Sequence, residues 1–571
     1  MNDRKFRPEL RVLAALVVAV AVAFWFTRSD SSAPVAAGAG PGLQVNFAAV
    51  SHGNEPAAIG ANDAAGGLPD TGSAAATVQS LLRKLRLGYS GTSLSNVSQA
   101  ADSPAADSPA AVSQAAESQV AIARDVGETP VVAIPDTVTA TEAAAIVRHF
   151  AAASGPVSHW LITARQNESA AAYSAHFNVL YDAMKAAVPA ITIGGATPAG
   201  YDASFLRTFL NGSGARADFV GFSFYGEEPG AANAKSSSQL IAGLADLSAE
   251  LSGTRSLIDA AVPARAARIA IYVDGWNIAA GPAPIQLTAF AATWDADLLG
   301  RVLAAGATSL ASGAQGGLLY DGQTQAPRAY QVGSPTPLYA AIGMFTGEGL
   351  FPRFGTQTAR ATSALPGVDV FASASPDEVV VVNTGSETRT TVLRVSGDAP
   401  LRGTQWRLAQ ANGAVAAPAS VGTATSRNGS FSLSLPSGSV TTVVVTPDGT
   451  GSAAPVTVAN ASTGQCLDSG ASGSTSGSVY TAPCDGGAQQ RWRLAGTTLV
   501  NEQSGRCLDS DASGHVAAST CDGSNAENWY NLGDLLVGAP SGRCLNANST
   551  AEVYALTCNG ASQQNWTISR A

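Results

Sequence analysis

Two carboxylates close apolar runs in the middle of the chain. His159-Trp160-Leu161-Ile162-Thr163-Ala164-Arg165-Gln166 leads into Asn167-Glu168, and Arg268-Ile269-Ala270-Ile271-Tyr272-Val273 leads into Asp274-Gly275-Trp276-Asn277. A carboxylate at the end of a strand can serve as general acid, general base or nucleophile when a second one faces it. Another acidic pair, Glu227-Glu228, follows Phe222-Ser223-Phe224-Tyr225. The C-terminal part carries a different set. All six cysteines fall there, in three copies of one pattern. The copies run Cys466-Leu467-Asp468 to Cys484 to Gln490-Arg491-Trp492, Cys507-Leu508-Asp509 to Cys521 to Glu527-Asn528-Trp529, and Cys544-Leu545-Asn546 to Cys558 to Gln564-Asn565-Trp566. The simplest pairing is one local disulfide per copy.

The elements that hold these groups follow from the spacing. The three tryptophans lie 37 residues apart. A fixed period means one supersecondary unit built repeatedly, none able to bury its apolar face alone. The Trp rings would fill a shared core, and the disulfides would staple small, loop-rich lobes. Cysteine, tryptophan and period together make residues 456–571 resemble the ricin-B-type lectins, β-trefoils of three lobes. The resemblance implies that the Trp and Cys residues hold the fold and that sugar is met elsewhere. It implies sugar ligands at Asp468 and Asp509 and, less closely, at Asn546. It also implies a stacking ring two residues before the second cysteine of each copy, but Ala482, Ser519 and Leu556 stand there. Tyr480 and Tyr554 lie two residues earlier and would share that face of a strand. The same aspartates also read as turn residues bonded to their own backbone.

At 571 residues the chain can hold about three or four domains. Charged residues are 13% and the net charge is −10, which argues against a nucleic-acid or anionic-membrane binder. Paired cysteines point to an oxidising compartment. Arg4, Lys5, Arg7 and Arg11 precede an apolar run from Val12 to Phe26, so residues 1–30 are expected to be a signal peptide or a membrane anchor. Small residues at Ala33-Pro34-Val35-Ala36-Ala37-Gly38 offer a cleavage site. The run is shorter than the ~20 residues of a spanning helix. Under either reading the remainder is exported, secreted or held at the cell surface, and the membrane is met only through this segment.

Residues 43–350 alternate apolar runs with Ala-rich helical stretches. Expected strands include Leu43–Ala48, Pro130–Ile134, Trp160–Thr163, Ile191–Gly195, Phe219–Tyr225, Ile269–Val273 and Gly316–Tyr320. Expected helices include Thr141–Ala152, Ala170–Ala187 and Ala291–Ala305. Such alternation over this length favours a (β/α)8 TIM barrel. Residues 97–118, an Ala/Ser/Asp/Pro tract, read as a disordered insertion. The order of the Asn-Glu run, the helix with Tyr173 and Phe177, Ile191-Thr192-Ile193-Gly194-Gly195 and Phe222-Ser223-Phe224-Tyr225 resembles the clan A glycoside hydrolases, nearest to family 39 (β-xylosidases and α-iduronidases). That resemblance implies Glu168 as acid/base at the end of the fourth barrel strand and Asn167 on the sugar 2-hydroxyl. It further implies Tyr225, Trp276 and Asn277 as substrate contacts. Retaining glycosidases hold two carboxylates about 5–5.5 Å apart. The family's nucleophilic Glu precedes the Trp of the seventh strand, where this chain has Gly275, leaving Asp274 as the nearest carboxylate. In a regular strand Asp274 would face away from a site at 275, and a bulge permitted by Gly275 would re-aim it. Ser223 replaces the family's histidine, and Glu227 or Glu228 is a further source of a carboxylate.

Residues 351–448 read as a β-sandwich of short alternating strands, to which Leu43–Phe47 could add, and 449–455 as a linker. The five histidines are scattered without ligand spacing, so neither a metal nor a cofactor is expected. The expectation is therefore multidomain: TIM barrel, β-sandwich and C-terminal β-trefoil. Its partner is a polysaccharide or other glycan. The barrel either cleaves that glycan by a retaining mechanism or is a degenerate barrel in a non-catalytic carbohydrate-binding surface protein.

Overall fold

The computed structural model describes residues 42–53, 58–62, 72–94, 114–135, 137–152, 156–164, 168–227, 234–312, 317–322, 330–396, 400–408, 410–411, 414–415, 418–447, 455–470, 477–495, 497–532, 534–538, 541–559 and 561–570. The signal or anchor expected over 1–30 lies outside them. Among the described residues, no helix is long and apolar enough to cross a membrane.

Strand β1 (Leu43–Gly53) precedes the barrel. The barrel itself closes from eight parallel strands: β2 (Ile59–Asn62), β3 (Tyr89–Ser93), β4 (Thr129–Ile134), β5 (His159–Ile162), β6 (Thr192–Gly195), β7 (Phe219–Glu227), β8 (Ala270–Ala279) and β9 (Thr308–Ser312). Helices follow them in turn: α1 (Gly72–Leu85), α2 (Gln114–Asp125), α3 (Ala140–Ala152), α4 (Ala170–Ala187), α5 (Ala203–Ser213), α6 (Ser237–Ala261), α7 (Ala289–Ala304) and α8 (Pro337–Thr346). Helix α4 shows how sequence sets these elements. The Ser169 side chain caps its first turn by accepting from Ala172 N, and Tyr173, Phe177, Leu180 and Met184 recur at helical spacing to form its buried face.

Three barrel strands fall outside the sequence expectation: β2, β3 and β9. Their sequences, IGAN, YSGTS and TSLAS, have few β-branched or aromatic residues. The small residues are there because the strands crowd one another. A Cβ on Gly91 would lie 1.8 Å from the Asn62 side-chain oxygen, and one on Gly60 would lie 2.6 Å from the Tyr89 carbonyl. Two expected elements are corrected. Of the expected strand Gly316–Tyr320, among the described residues 317–320 only Leu319 makes a ladder contact, an isolated bridge to Pro335. The tract 97–118 is not all insertion, because α2 begins at Gln114 and buries Ala116 and Val120. Inside the N-terminal half of the barrel, Tyr89, Val131, Leu161, Phe219, Tyr272 and Leu310 form one cluster, with Phe219 and Tyr272 stacked at 4.2 Å. The barrel is a packed core, not a pore.

A nine-stranded sheet follows, and β1 belongs to it. β1 pairs antiparallel with β10 (Gln357–Ser363) and parallel with β13 (Arg389–Ser396). The sheet folds over itself, since a Cβ on Gly403 of β14 (Leu401–Leu408) would lie 2.9 Å from the Phe431 ring of β18 (Ser430–Leu435). Strand β12 (Glu378–Asn383) is buried on both faces. Val379 and Val381 join the sandwich core, whereas Val380 and Val382 join the core shared with the barrel helices. Arg301 of α7 bridges this junction, 3.0 Å from both Asp297 and Asp369.

The trefoil starts at β20 (Pro455–Asn460) and docks on the sandwich. Tyr530 is buried with its ring 6.4 Å from that of Trp406, and Arg402 donates to Thr498 at 3.2 Å.

Candidate functional site

In the trefoil, the three copies make the same bonds. Trp492 Nε1 donates to the Leu467 carbonyl, Trp529 to Leu508 and Trp566 to Leu545, at 3.0, 3.0 and 2.9 Å. All three rings are buried in the trefoil core. The disulfides are Cys466–Cys484, Cys507–Cys521 and Cys544–Cys558, one per copy. Gln490 and Gln564 clamp the segment around the second cysteine. Their carbonyl oxygens accept from Asp485 N and Asn559 N at 2.9 Å, and their amides donate to the Pro483 and Thr557 carbonyls. Glu527 accepts the equivalent backbone bonds, from Asp522 and Gly523, but has no amide to donate.

The expected sugar ligands are less alike than the framework. Asp468 is only 3% exposed, and its Oδ2 accepts from Gln490 Nε2 at 3.1 Å. Its strand partner is Tyr480, whose hydroxyl lies against the carboxylate. Burial first, then the Asp468 charge, pushes that phenol above its usual range. Asp509 is half-buried, and burial followed by the charges of Asp522 and Asp511 pushes its carboxyl up against the pull of His515. Asn546 is buried opposite Tyr554.

In the barrel, the decisive feature is a bulge in β8. Phe222 and Phe224 of β7 pair with Val273 and Trp276, so one residue of β7 opposes two of β8. The same irregularity separates Asp274 and Trp276 on the β9 side. Gly275 supplies the extra residue with φ +82°, a left-handed conformation that favours glycine. Tyr272 is in the interior cluster and Asp274 is two residues on, so Asp274 shares its inward direction. Asn62 Nδ2 donates to Asp274 Oδ1 at 2.8 Å, and Thr197 also bonds the carboxylate. Burial nevertheless pushes the Asp274 carboxyl up, over the opposing pull of Asn62 and Thr197.

After the bulge the phase is reversed. Trp276, expected as a substrate contact, is fully buried in the core shared with the helices and donates to Ser309 Oγ at 2.7 Å. Asn277 is 2% exposed; its Oδ1 accepts from Ile278 N at 2.7 Å and its Nδ2 donates to the Ser312 carbonyl of β9 at 3.5 Å, so both ends of the side chain are bonded within the barrel wall. A Cβ on Gly275 would lie 2.9 Å from the Tyr225 hydroxyl and 3.5 Å from Ser223 Oγ. The position that resembles the family's nucleophile therefore faces the Tyr225 side chain. Ser223, in place of the family's histidine, donates to the Asp274 carbonyl at 2.6 Å and ties the two strands at the bulge.

Glu168 lies beyond the end of β5, directly before the α4 cap. Its side chain is 7% exposed, and Oε2 lies 3.8 Å from His176 Nδ1 of α4. Glu227 accepts from Lys235 N at 3.1 Å and so holds the approach to α6. Asn167 and Glu228 are outside the described residues. Sequence reasoning missed Asn62 and Thr197, which bond Asp274, and His176, which lies beside Glu168. Asn62 lies in a strand too short to have been recognised. Thr197 and His176 lack any spacing that marks them.

The fold is a (β/α)8 barrel joined to a β-sandwich, followed by a β-trefoil of ricin type. Residues 454–568 match the ricin-type beta-trefoil lectin domain. In fold, the chain is similar to the GH51 α-L-arabinofuranosidase of Thermotoga petrophila RKU-1, at 15% identity and a TM-score of 0.57, covering 71% of this chain and 99% of that one. It is similar to the GH51 arabinofuranosidase of Xanthomonas axonopodis pv. citri, at 12% identity and a TM-score of 0.57, covering 71% and 100%. A bifunctional glucanase–xylanase from a metagenome library is similar at 15% identity and a TM-score of 0.53, covering 71% and 99%. No curated protein sequence matches the chain. At these identities the likeness is one of fold, and it is not specific to family 39.

Proposed function

We propose that this is an exported glycan-binding protein whose trefoil meets carbohydrate and whose barrel does not cleave it. The observation that carries the reading is Gly275. A nucleophilic side chain there would need a left-handed backbone and would run into the Tyr225 hydroxyl. The two remaining carboxylates support the same reading. Glu168 is nearly buried, with Oε2 3.8 Å from His176 Nδ1 of α4, and Asp274 is held by Asn62 inside the barrel. A carboxyl pushed upward by burial is a poor nucleophile, since its neutral form is favoured. Three disulfides support export to an oxidising compartment.

One observation favours a second reading, residual hydrolysis. Asp274 faces inward, and a raised carboxyl suits a general acid. A panel of aryl glycosides decides between them. The expected result is no turnover above buffer. Turnover that disappears in Glu168→Gln or Asp274→Asn would establish the hydrolase and overturn the proposal.

A further inference from the structure

Strands β22 (Val479–Ala482), β26 (Val516–Ser519) and β30 (Val553–Leu556) are the third strands of the three repeats, and they meet around the trefoil's pseudo-threefold axis. Three equivalent backbone bonds close the ring. Ala518 N donates to the Gly477 carbonyl, Ala555 N to Gly514 and Thr481 N to Ala551, at 3.0, 2.8 and 3.0 Å. Each donor and each acceptor recurs every 37 residues.

Above this ring lies a depression of about 760 Å³. Its outward side chains are Ser478 and Tyr480 from the first repeat, His515 and Ala517 from the second, and Glu552 and Tyr554 from the third. Isolated bridges Tyr480↔Glu552 and His515↔Tyr554 show that neighbouring repeats supply adjacent groups. Two of these groups are oriented from behind. The Tyr480 hydroxyl lies against Asp468, and Glu552 Oε2 accepts from Asn548 Nδ2 at 2.7 Å. The volume suits a small ligand. Among the described lining residues there is no Lys or Arg, and Glu552 brings a negative charge, so an anionic sugar is disfavoured. The peripheral positions expected to carry a stacking ring are Ala482, Ser519 and Leu556, whereas two tyrosines stand at the centre.

We infer that the trefoil holds one neutral mono- or disaccharide at this axial depression, shared by all three repeats, instead of one sugar per lobe. Tyr480 and Tyr554 offer ring faces to the C–H face of the pyranose. Glu552 accepts from its hydroxyls, and His515 and Ser478 complete the polar rim. Ala517 marks the place where the third ring is missing. The inference rests on the glycan-binding reading and specifies its site.

The test is calorimetric titration of the full chain with galactose, glucose, xylose, arabinose and their disaccharides, followed by a glycan array. Expected are one site per chain, an affinity loss of about tenfold or more in Tyr554→Ala and in Glu552→Gln, and a smaller loss in Tyr554→Phe. Ala517→Tyr, which supplies the third ring, is expected to tighten binding. Melting curves separate misfolded variants from impaired binders. Two or three sites per chain, with loss in Asp509→Asn and none in Tyr554→Ala, overturns the axial site and leaves glycan binding intact. Choline binding in place of sugar, through the same tyrosines, overturns the sugar assignment. Silence of the wild type on every sugar and on the array overturns both readings.

Discussion

The barrel and the trefoil are both built by repetition, but their repeats differ from one another in different places. Every copy of the trefoil keeps the framework that makes the lobe: the disulfide and the indole bond to the Leu carbonyl. What varies is the solvent side, where the residue before the second cysteine's turn is Ala482, Ser519 or Leu556 and the inner position is Tyr480, Ala517 or Tyr554. The barrel keeps its eight-strand closure, yet its interior chemistry turns on a single residue. The bulge at Gly275 resets the phase of β8 after Asp274, and with it the directions of Trp276 and Asn277. A trefoil lobe can lose a ligand residue without disturbing its neighbours. A barrel site is assembled from several strands, so each position in it depends on the phase of its neighbours.

If that contrast is right, the largest effect should come from the trefoil framework. Trp492→Ala is expected to cost about 3–5 kcal/mol, seen as an early unfolding transition together with loss of glycan binding. An unchanged transition would mean that the indoles are not what holds the lobes together. Removing one disulfide as Cys466→Ser with Cys484→Ser should cost about 2–4 kcal/mol, read from denaturant midpoints.

The junction beneath the barrel should respond to pH. Burial pushes the Glu128 carboxyl up to about 8, although Ser90 and Arg353 lie close enough to pull it down. The folded state thus holds a proton that the unfolded chain releases near 4.5. Stability from this group is present below pH 4.5 and is lost as pH rises towards 8. Each unit is worth about 1.4 kcal/mol. Glu128→Gln should therefore raise the melting temperature at pH 8 by several degrees and leave it unchanged at pH 4. An equal shift at both pH values would rule out titration as the cause. The smallest effect is expected at the bulge, where Gly275→Ala should cost about 1–2 kcal/mol through its positive φ. A neutral outcome in thermal melts would argue that β8 can relax, and would reopen the barrel interior to a side chain at 275.

Much of this was legible in the chain, for identifiable reasons. The trefoil could be read because its cysteines and tryptophans recur at one period, which no local conformation can hide. Helices α3, α4 and α7 showed through their apolar spacing, and β5, β7 and β8 through bulky apolar runs. Strands β2, β3 and β9 did not, because their glycines, serines and alanines answer to close neighbours that are distant in sequence, such as Asn62 against Gly91. The bulge was foreseeable as a possibility from Gly275, but its consequence for Trp276 and Asn277 was not. Side-chain alternation gives the wrong face once a strand takes an extra residue. Likewise nothing in the spacing of Asn167-Glu168 announced that His176 of α4 would lie 3.8 Å from Glu168.

The most direct test is to incubate the purified full chain with an oligosaccharide that it binds, and to follow both bound fraction and products by mass spectrometry. Saturable binding with an intact oligosaccharide after prolonged incubation is the predicted result. Shortened products that vanish when Asp274 is changed to Asn would contradict it, because they would make Asp274 a working acid in a catalytic barrel.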